Sequence, residues 1–278
     1  YTKSGKRKLM KQLTKTEFDE TSWKQTQCAV KEMTEHLLFG IKFQAILSEI
    51  RNIHKLDLEE KNLYPSECKK PEWISIIMGS VFALAMLVSL VLGLCEMISF
   101  GTAGIMLLIC LCNLCIFSYF HGAEYEEIEK CIRAFGKMER LISFVSEEQF
   151  KEDVVCQYQE KIRLGKMTMH RISKIASLYY AKENMFSNVL FNVVFILNPL
   201  LVFLYRNTMK EGSAILYDTM ESIEKIELFI ALAGVAWVKD TVCMPKKIKE
   251  ISFSAKNMKH PLLTESECIA NDFSCGEE

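Results

Sequence analysis

The chain has 278 residues, 50% hydrophobic and 25% charged, with a formal net charge of -1. That length suits one or two domains, and eleven cysteines scattered without short secreted-domain spacing exclude a disulfide scaffold and read as free thiols in a reducing compartment. The near-neutral total hides an asymmetry, because residues 73 to 120 hold a single charge, Glu96, and the other charges lie in the flanks.

Residues 3 to 11 carry Lys3, Lys6, Arg7, Lys8 and Lys11 with no acid, a basic arm suited to phosphate, anionic lipid or plain solvation. From residue 5 to 63 apolar residues recur every three to four positions, most regularly from Ala29 to Ile53, which predicts amphipathic helix. The stretch Asn62 to Glu67 predicts a loop, since Pro65 lacks a backbone donor and disfavours helical geometry at Tyr64.

Trp73 to Cys95 is 23 residues without Asp, Glu, Lys, Arg or His, and Met97 to Phe120 is another 24. At about 1.5 Å of rise per residue, each run as a helix covers a hydrocarbon core of roughly 30 Å. The break at Glu96 to Thr102 holds the lone carboxylate and Gly101, where the backbone is expected to turn. The runs therefore predict a transmembrane helical hairpin with Glu96 near the far interface. A buried helical pair in a soluble core is the other arrangement, and unbroken length favours lipid. A start some 70 residues in, with no small-residue cleavage pattern, argues against a signal peptide.

Residues 1 to 70 hold 14 Lys or Arg and the hairpin turn holds none, so the positive-inside bias places both flanks in the cytoplasm. Cys112 and Cys115 have CxxC spacing, but inside an apolar run without a second pair they read as small packing residues rather than zinc ligands.

From Glu124 an apolar stripe through Ile128, Ile132, Phe135, Met138, Leu141 and Val145 predicts helix. Ser146 to Gln149 matches a capping box, which predicts a second helix from about Glu147 to Gly165, with a third through Arg171 to Ala181. Met185 to Tyr205 is uncharged over 21 residues but contains Asn188, Asn192, Asn198 and Pro199, which favours a buried, kinked helix pair over a third span. Asp218 to Val242 predicts a strong helix ending before Pro245, and alternation in Ile248 to Ser254 and in Cys268 to Phe273 predicts two short strands around a loop at Lys259 to Leu263.

Three segments, Glu227-Leu228-Phe229-Ile230-Ala231-Leu232-Ala233, His260-Pro261-Leu262-Leu263 and Ile269-Ala270-Asn271-Asp272-Phe273, resemble the MutS family of DNA mismatch repair ATPases. Their order is similar to the end of that family's lever helix and the entry to its nucleotide-binding domain, and with the apolar hairpin the nearer likeness is to the membrane-anchored MutS-like proteins of bacteria. The resemblance implies a mainly α chain in four parts: a helical segment at 1–70, the transmembrane hairpin at 71–120, a helical core and lever at 121–245, and the short β start of a nucleotide-binding domain at 246–278.

It further implies that Cys268, Ile269 and Asn271 border the adenine of bound ATP, although soluble members often carry an aromatic where Cys268 stands. ATP with Mg, a homodimer through the ATPase domain and mismatched DNA are the ligand and partners implied for the full-length protein.

A phosphate loop needs G-x-x-x-x-G-K-[ST], and neither Gly5-Lys6 nor Gly165-Lys166 supplies it, so this chain by itself is expected neither to bind nor to hydrolyse ATP and has no catalytic residue to name. Phe18-Asp19-Glu20 spells the family's Phe-x-Glu mismatch reader but lies in a basic helical segment without the sheet domain that presents it. The competing functional class is a two-span membrane scaffold whose cytosolic helices bind a partner protein. A small transporter or channel fits less well, because neither span contains a buried ionisable residue.

Overall fold

A computed structural model describes residues 2–50 apart from 16 and 18, residues 72–181 apart from 98, residue 192, and residues 197–276 apart from 240, 249–251, 261, 262 and 265. The expected loop at Asn62 to Glu67 and the helical pattern of 51–63 lie outside these residues. Along the described chain run helices α1 (Lys3–Leu13), α2 (Glu20–Glu35), α3 (Leu37–Glu49), α4 (Glu72–Leu94), α5 (Phe100–Phe135), α6 (Met138–Glu147), α7 (Asp153–Leu164), α8 (Lys166–Ala181) and α9 (Leu197–Val238). Strands β1 (Ser252–Met258) and β2 (Asn271–Gly276) follow and pair antiparallel.

The helical core is assembled around α9, which packs against α1, α2, α4, α5, α7 and α8. Its inward residues Leu201, Tyr205, Met209, Leu216, Ile223, Ile226 and Ile230 recur at three, four or seven positions and are almost wholly buried. That periodicity gives one side of a 42-residue helix to the core. Helices α2, α3, α5, α6, α7 and α8 contribute Met33, Phe43, Phe135, Leu141, Ile162 and Ile172 to the same cluster.

Polar residues set the helix ends. Asp19 caps α2 by accepting the Thr21 amide at 3.1 Å, and Ser99 caps α5 by accepting the Gly101 amide at 3.2 Å. The start of α7 is served from another helix: the Glu32 carboxylate, 6% exposed on α2, accepts the backbone amides of Lys151 and Glu152. The end of α6 is closed in the same fashion by Gln159, whose side-chain amide donates to the carbonyls of Val145 at 2.8 Å and Glu148 at 2.7 Å.

Several expectations are corrected here. Ser146 does not open a capping box, because it lies inside α6 and its hydroxyl donates to Ile142 O at 2.6 Å, so α7 starts at Asp153 rather than Glu147. Between α4 and α5 the chain turns at Glu96, which takes a positive φ of 60°, while Gly101 already belongs to α5.

Pro199 is the third residue of α9, where a missing amide costs little, and Asn192 Oδ1 accepts the Asn198 amide at 2.8 Å. Residues 182–191 and 193–196 of the expected helix pair lie outside the described residues. The strands also begin three or four residues later than alternation predicts, since pairing of Ser252 with Gly276 sets the register and Ile248 stays outside the ladder.

Helices α4 and α5 pack side by side as a helix-turn-helix. Among the described residues one helix, α4 over Ile76–Leu94, is long and apolar enough to cross a membrane. This is narrower than the expected pair of spans. Helix α5 is one 36-residue helix whose apolar first half continues without a break into the charged stretch that meets the core.

Candidate functional site

The three residues singled out for an adenine site fall on the turn and strand that follow the His260 segment. A tight turn forms where Thr264 O accepts the amides of Glu267 at 3.1 Å and Cys268 at 3.0 Å, and Thr264 Oγ1 donates to Glu267 Oε2 at 2.8 Å. This turn brings Cys268 back onto the strand exit, where its sulfur accepts the His260 amide at 3.2 Å. Cys268 is thus half-buried and engaged with backbone, a local tie between the loop and the approach to β2.

Ile269 is 81% exposed, the most solvent-facing large apolar side chain among the described residues. Asn271 begins β2 opposite Met258, and its side-chain amide donates to Ile269 O at 3.3 Å. The structure therefore brings Cys268, Ile269 and Asn271 onto one short segment, with Ile269 as an exposed apolar face and the other two spent on shaping it. A purine lying on this segment would meet a branched aliphatic side chain and a sulfur rather than an aromatic ring.

The surrounding sheet is equally open. Both strands are almost wholly exposed, and the rings of Phe253 and Phe273 meet at a tilt of 55° with centroids 5.8 Å apart while each remains about half exposed. Asn257, at a positive φ of 51° beside a register shift, donates its amide to Asp272 Oδ1 at 2.8 Å.

The segment is tethered to the helices through named polar contacts. Lys239, just beyond α9, donates to Leu263 O. Pro245 O accepts from the Gln27 side chain at 2.8 Å, and Lys247 pairs with Glu20. Glu20 also pairs with Lys24 at 2.9 Å, and these two ammonium groups, Lys247 foremost, hold its carboxyl at about 2, below the usual range. The glutamate of the Phe-x-Glu spelling is therefore occupied at the N-terminus of α2 by two lysines, while Phe18 lies outside the described residues.

Two further features escaped sequence reading. A cleft of about 550 Å³ lies between α3, α6 and α8, lined by Ile46, Ile50, Lys137 and Ser173, with Arg140 and Glu49 paired at 2.8 Å beside it. Its lining offers that ion pair, the hydroxyls of Ser143 and Ser173, and the carboxylate of Glu139, which pairs with His170 at 2.7 Å.

The second is Glu227, wholly buried in α9, whose two carboxylate oxygens accept the amide and the hydroxyl of Thr2, each at 2.7 Å. Burial pushes its carboxyl up, against the lowering effect of the Thr2 hydrogen bonds. No periodicity announces such a contact, because its partners are 225 residues apart.

Among the described residues no group of His, Cys, Asp and Glu is placed to hold a metal ion. Comparison with protein-family models, with curated proteins and with solved structures finds no match to this chain.

Proposed function

We propose that the chain is the helical, non-catalytic portion of a membrane-anchored MutS-like ATPase, with α9 as the lever between the membrane-proximal core and the nucleotide-binding unit. The observation that carries this reading is the continuity of α9. One 42-residue helix stays packed on the core as far as Trp237 and hands the chain, through Lys239 and the Pro245 to Lys247 tether, to a small exposed sheet bearing the adenine-side segment. ATP with Mg is then bound by a phosphate loop outside residues 1–278, with Ile269 against the base, and the ATPase units pair two copies. Mismatched DNA is the partner class of the resemblance.

In this reading α4 and the first half of α5 both span the bilayer, with both flanks cytoplasmic. The support is the outward surface of the pair. Ile77, Val81, Leu84, Val88 and Val91 of α4 and Ile105 and Leu108 of α5 are each at least half exposed, a run of outward apolar side chains of the kind that lipid accommodates.

The deciding experiment is hydrogen exchange on the protein extended through its phosphate loop. On adding ATP, amides of residues 214–238 should change protection. Unchanged exchange there, with nucleotide shown to be bound, removes the lever role.

The second reading is a membrane scaffold without nucleotide. Leu37, Leu38 and Ile41 favour it, an exposed apolar run on α3 suited to a partner helix. Absence of nucleotide binding by the extended protein, together with loss of a captured partner on Leu38→Glu, would select it.

A further inference from the structure

We propose that α1 is a releasable strap over α9, which opens as a local event and uncovers a row of carboxylates without disturbing the helical core. Three levels of contact run antiparallel along the two helices. Thr2 holds Glu227 through two hydrogen bonds of 2.7 Å, Gly5 lies against the same carboxylate, and Lys8 pairs with Glu224 at 2.9 Å and Glu221 at 3.6 Å. Gly5 is required by that approach, since a Cβ there would overlap the Glu227 carboxylate. The same residue supplies the amide that Thr2 Oγ1 caps at 2.8 Å, so the start of α1 and its docking are one structure.

The chemistry of this contact differs from that of the core beneath it. No residue of α1 belongs to the buried apolar cluster, and Met10 and Leu13 are 69% and 70% exposed. What holds α1 is a set of hydrogen bonds and ion pairs, which on release exchange protein partners for water, and the Lys8 pairs are screened by salt where they reach solvent. The contact also contains its own opposition. Lys225, half-buried beside α1, has its ammonium pushed below the usual range first by burial and then by Lys8, Lys11 and Lys15. A short helix of 11 residues has little stability of its own once lifted, so release of α1 and its unwinding are one step.

Lifting exposes Glu224 and Glu227 beside the already part-exposed Glu221 on α9 and frees the cations of α1 together. Because the inward residues of α9, Ile223, Ile226 and Ile230, face the other way into the core, the lever itself stays helical. The strap depends on this geometry and not on the nucleotide reading above, so it stands or falls separately.

The test is hydrogen exchange with mass spectrometry on the whole chain in detergent micelles, comparing residues 3–13 with residues 138–147 and 166–181. The strap requires residues 3–13 to exchange roughly tenfold or more faster than the other two segments, as a sub-global opening does. It also requires Lys8→Glu, and the milder Lys8→Met to a smaller degree, to quicken exchange in 3–13 alone. Raising salt to roughly 0.5 M should act in the same direction. Exchange of 3–13 in step with the two core segments, or variants that quicken all three equally or none, would overturn it.

Discussion

The indole N–H of Trp237 donates to Thr34 O at 3.1 Å while its ring lies directly on Gly40. One side chain near the end of α9 thereby fastens that helix to the junction of α2 and α3. The fit exists because position 40 carries no Cβ: an added methyl would overlap the far edge of the indole. Gly40→Ala should therefore displace the ring and destabilise the fold by about 1–3 kcal/mol, the usual cost of forcing extra volume into a packed contact. Urea titration followed by far-UV circular dichroism measures it, and tryptophan emission should shift to the red. An unchanged midpoint with unchanged emission would refute the contact.

Glu32 anchors the segment that leads into α7. Its buried carboxylate accepts the amides of Lys151 and Glu152, which precede the first helical residue Asp153, so Glu32→Ala leaves two part-buried amides without their acceptor. A loss of about 1 kcal/mol follows, because water can still reach these donors in part. Glu32→Gln keeps one acceptor oxygen and should lose less. Exchange protection of residues 152–156 ought to fall first, before that of α8, and equal loss in both helices would count against a local cap.

Acid should act on two contacts in opposite senses. The carboxyl of Glu20 is held down to about 2 by Lys247 and Lys24, so its contribution is present above the ordinary carboxylate value near 4.5 and is lost as pH falls toward 2. The carboxyl of Glu227 is pushed up by burial, so its contribution is full below that ordinary value and is lost as pH rises through its folded value. Between neutral pH and pH 4.5, protection in residues 3–13 should rise, and below pH 4.5 the tether of residues 245–248 to α2 should weaken. Exchange rates corrected for their intrinsic pH dependence separate the two. A Glu227→Gln protein that keeps the pH response of residues 3–13 would contradict the first assignment.

How much of this was legible in the sequence follows from the range of each interaction. The stripe through Met220, Ile223, Ile226 and Ile230 announces α9, and the uncharged runs announce α4 and α5, because periodicity and length are local properties. Residues 197–205 read as part of a kinked helix pair because Asn198 and Pro199 look like breakers, so their continuity with the helix expected from Asp218 was not legible. The helical periodicity from residue 5 was legible, but the basic run at residues 3 to 11 left phosphate, anionic lipid and plain solvation open, and only the distant Glu221, Glu224 and Glu227 make it a docked helix. Glu32, Gln159 and Gly40 act across tertiary contacts that no spacing rule encodes. For the segment around Cys268, the strand-turn-strand order was legible, whereas the turn of Cys268 onto His260 was not, since it depends on the Thr264 turn between them.

The outward surface of α4 permits a decisive substitution. Leu84 is 63% exposed near the middle of the Ile76–Leu94 span, with Val81 and Val88 exposed on either side. If that face meets water, Leu84→Lys replaces an apolar surface residue by a charged one, and such changes usually alter stability by no more than about 0.5 kcal/mol. If it meets lipid, a lysine at the helix centre costs about 2.5–3.5 kcal/mol of insertion, enough to shift a membrane-integrated population strongly toward failure. The expected outcome is that the wild-type chain resists alkaline extraction from membranes while Leu84→Lys is largely extracted or degraded. The companion change Leu108→Lys asks the same of α5, whose Leu108 is also 63% exposed. Loss of integration for both variants supports two spans, loss for Leu84→Lys alone supports one, and soluble, well-folded protein from both would place the helical pair in water.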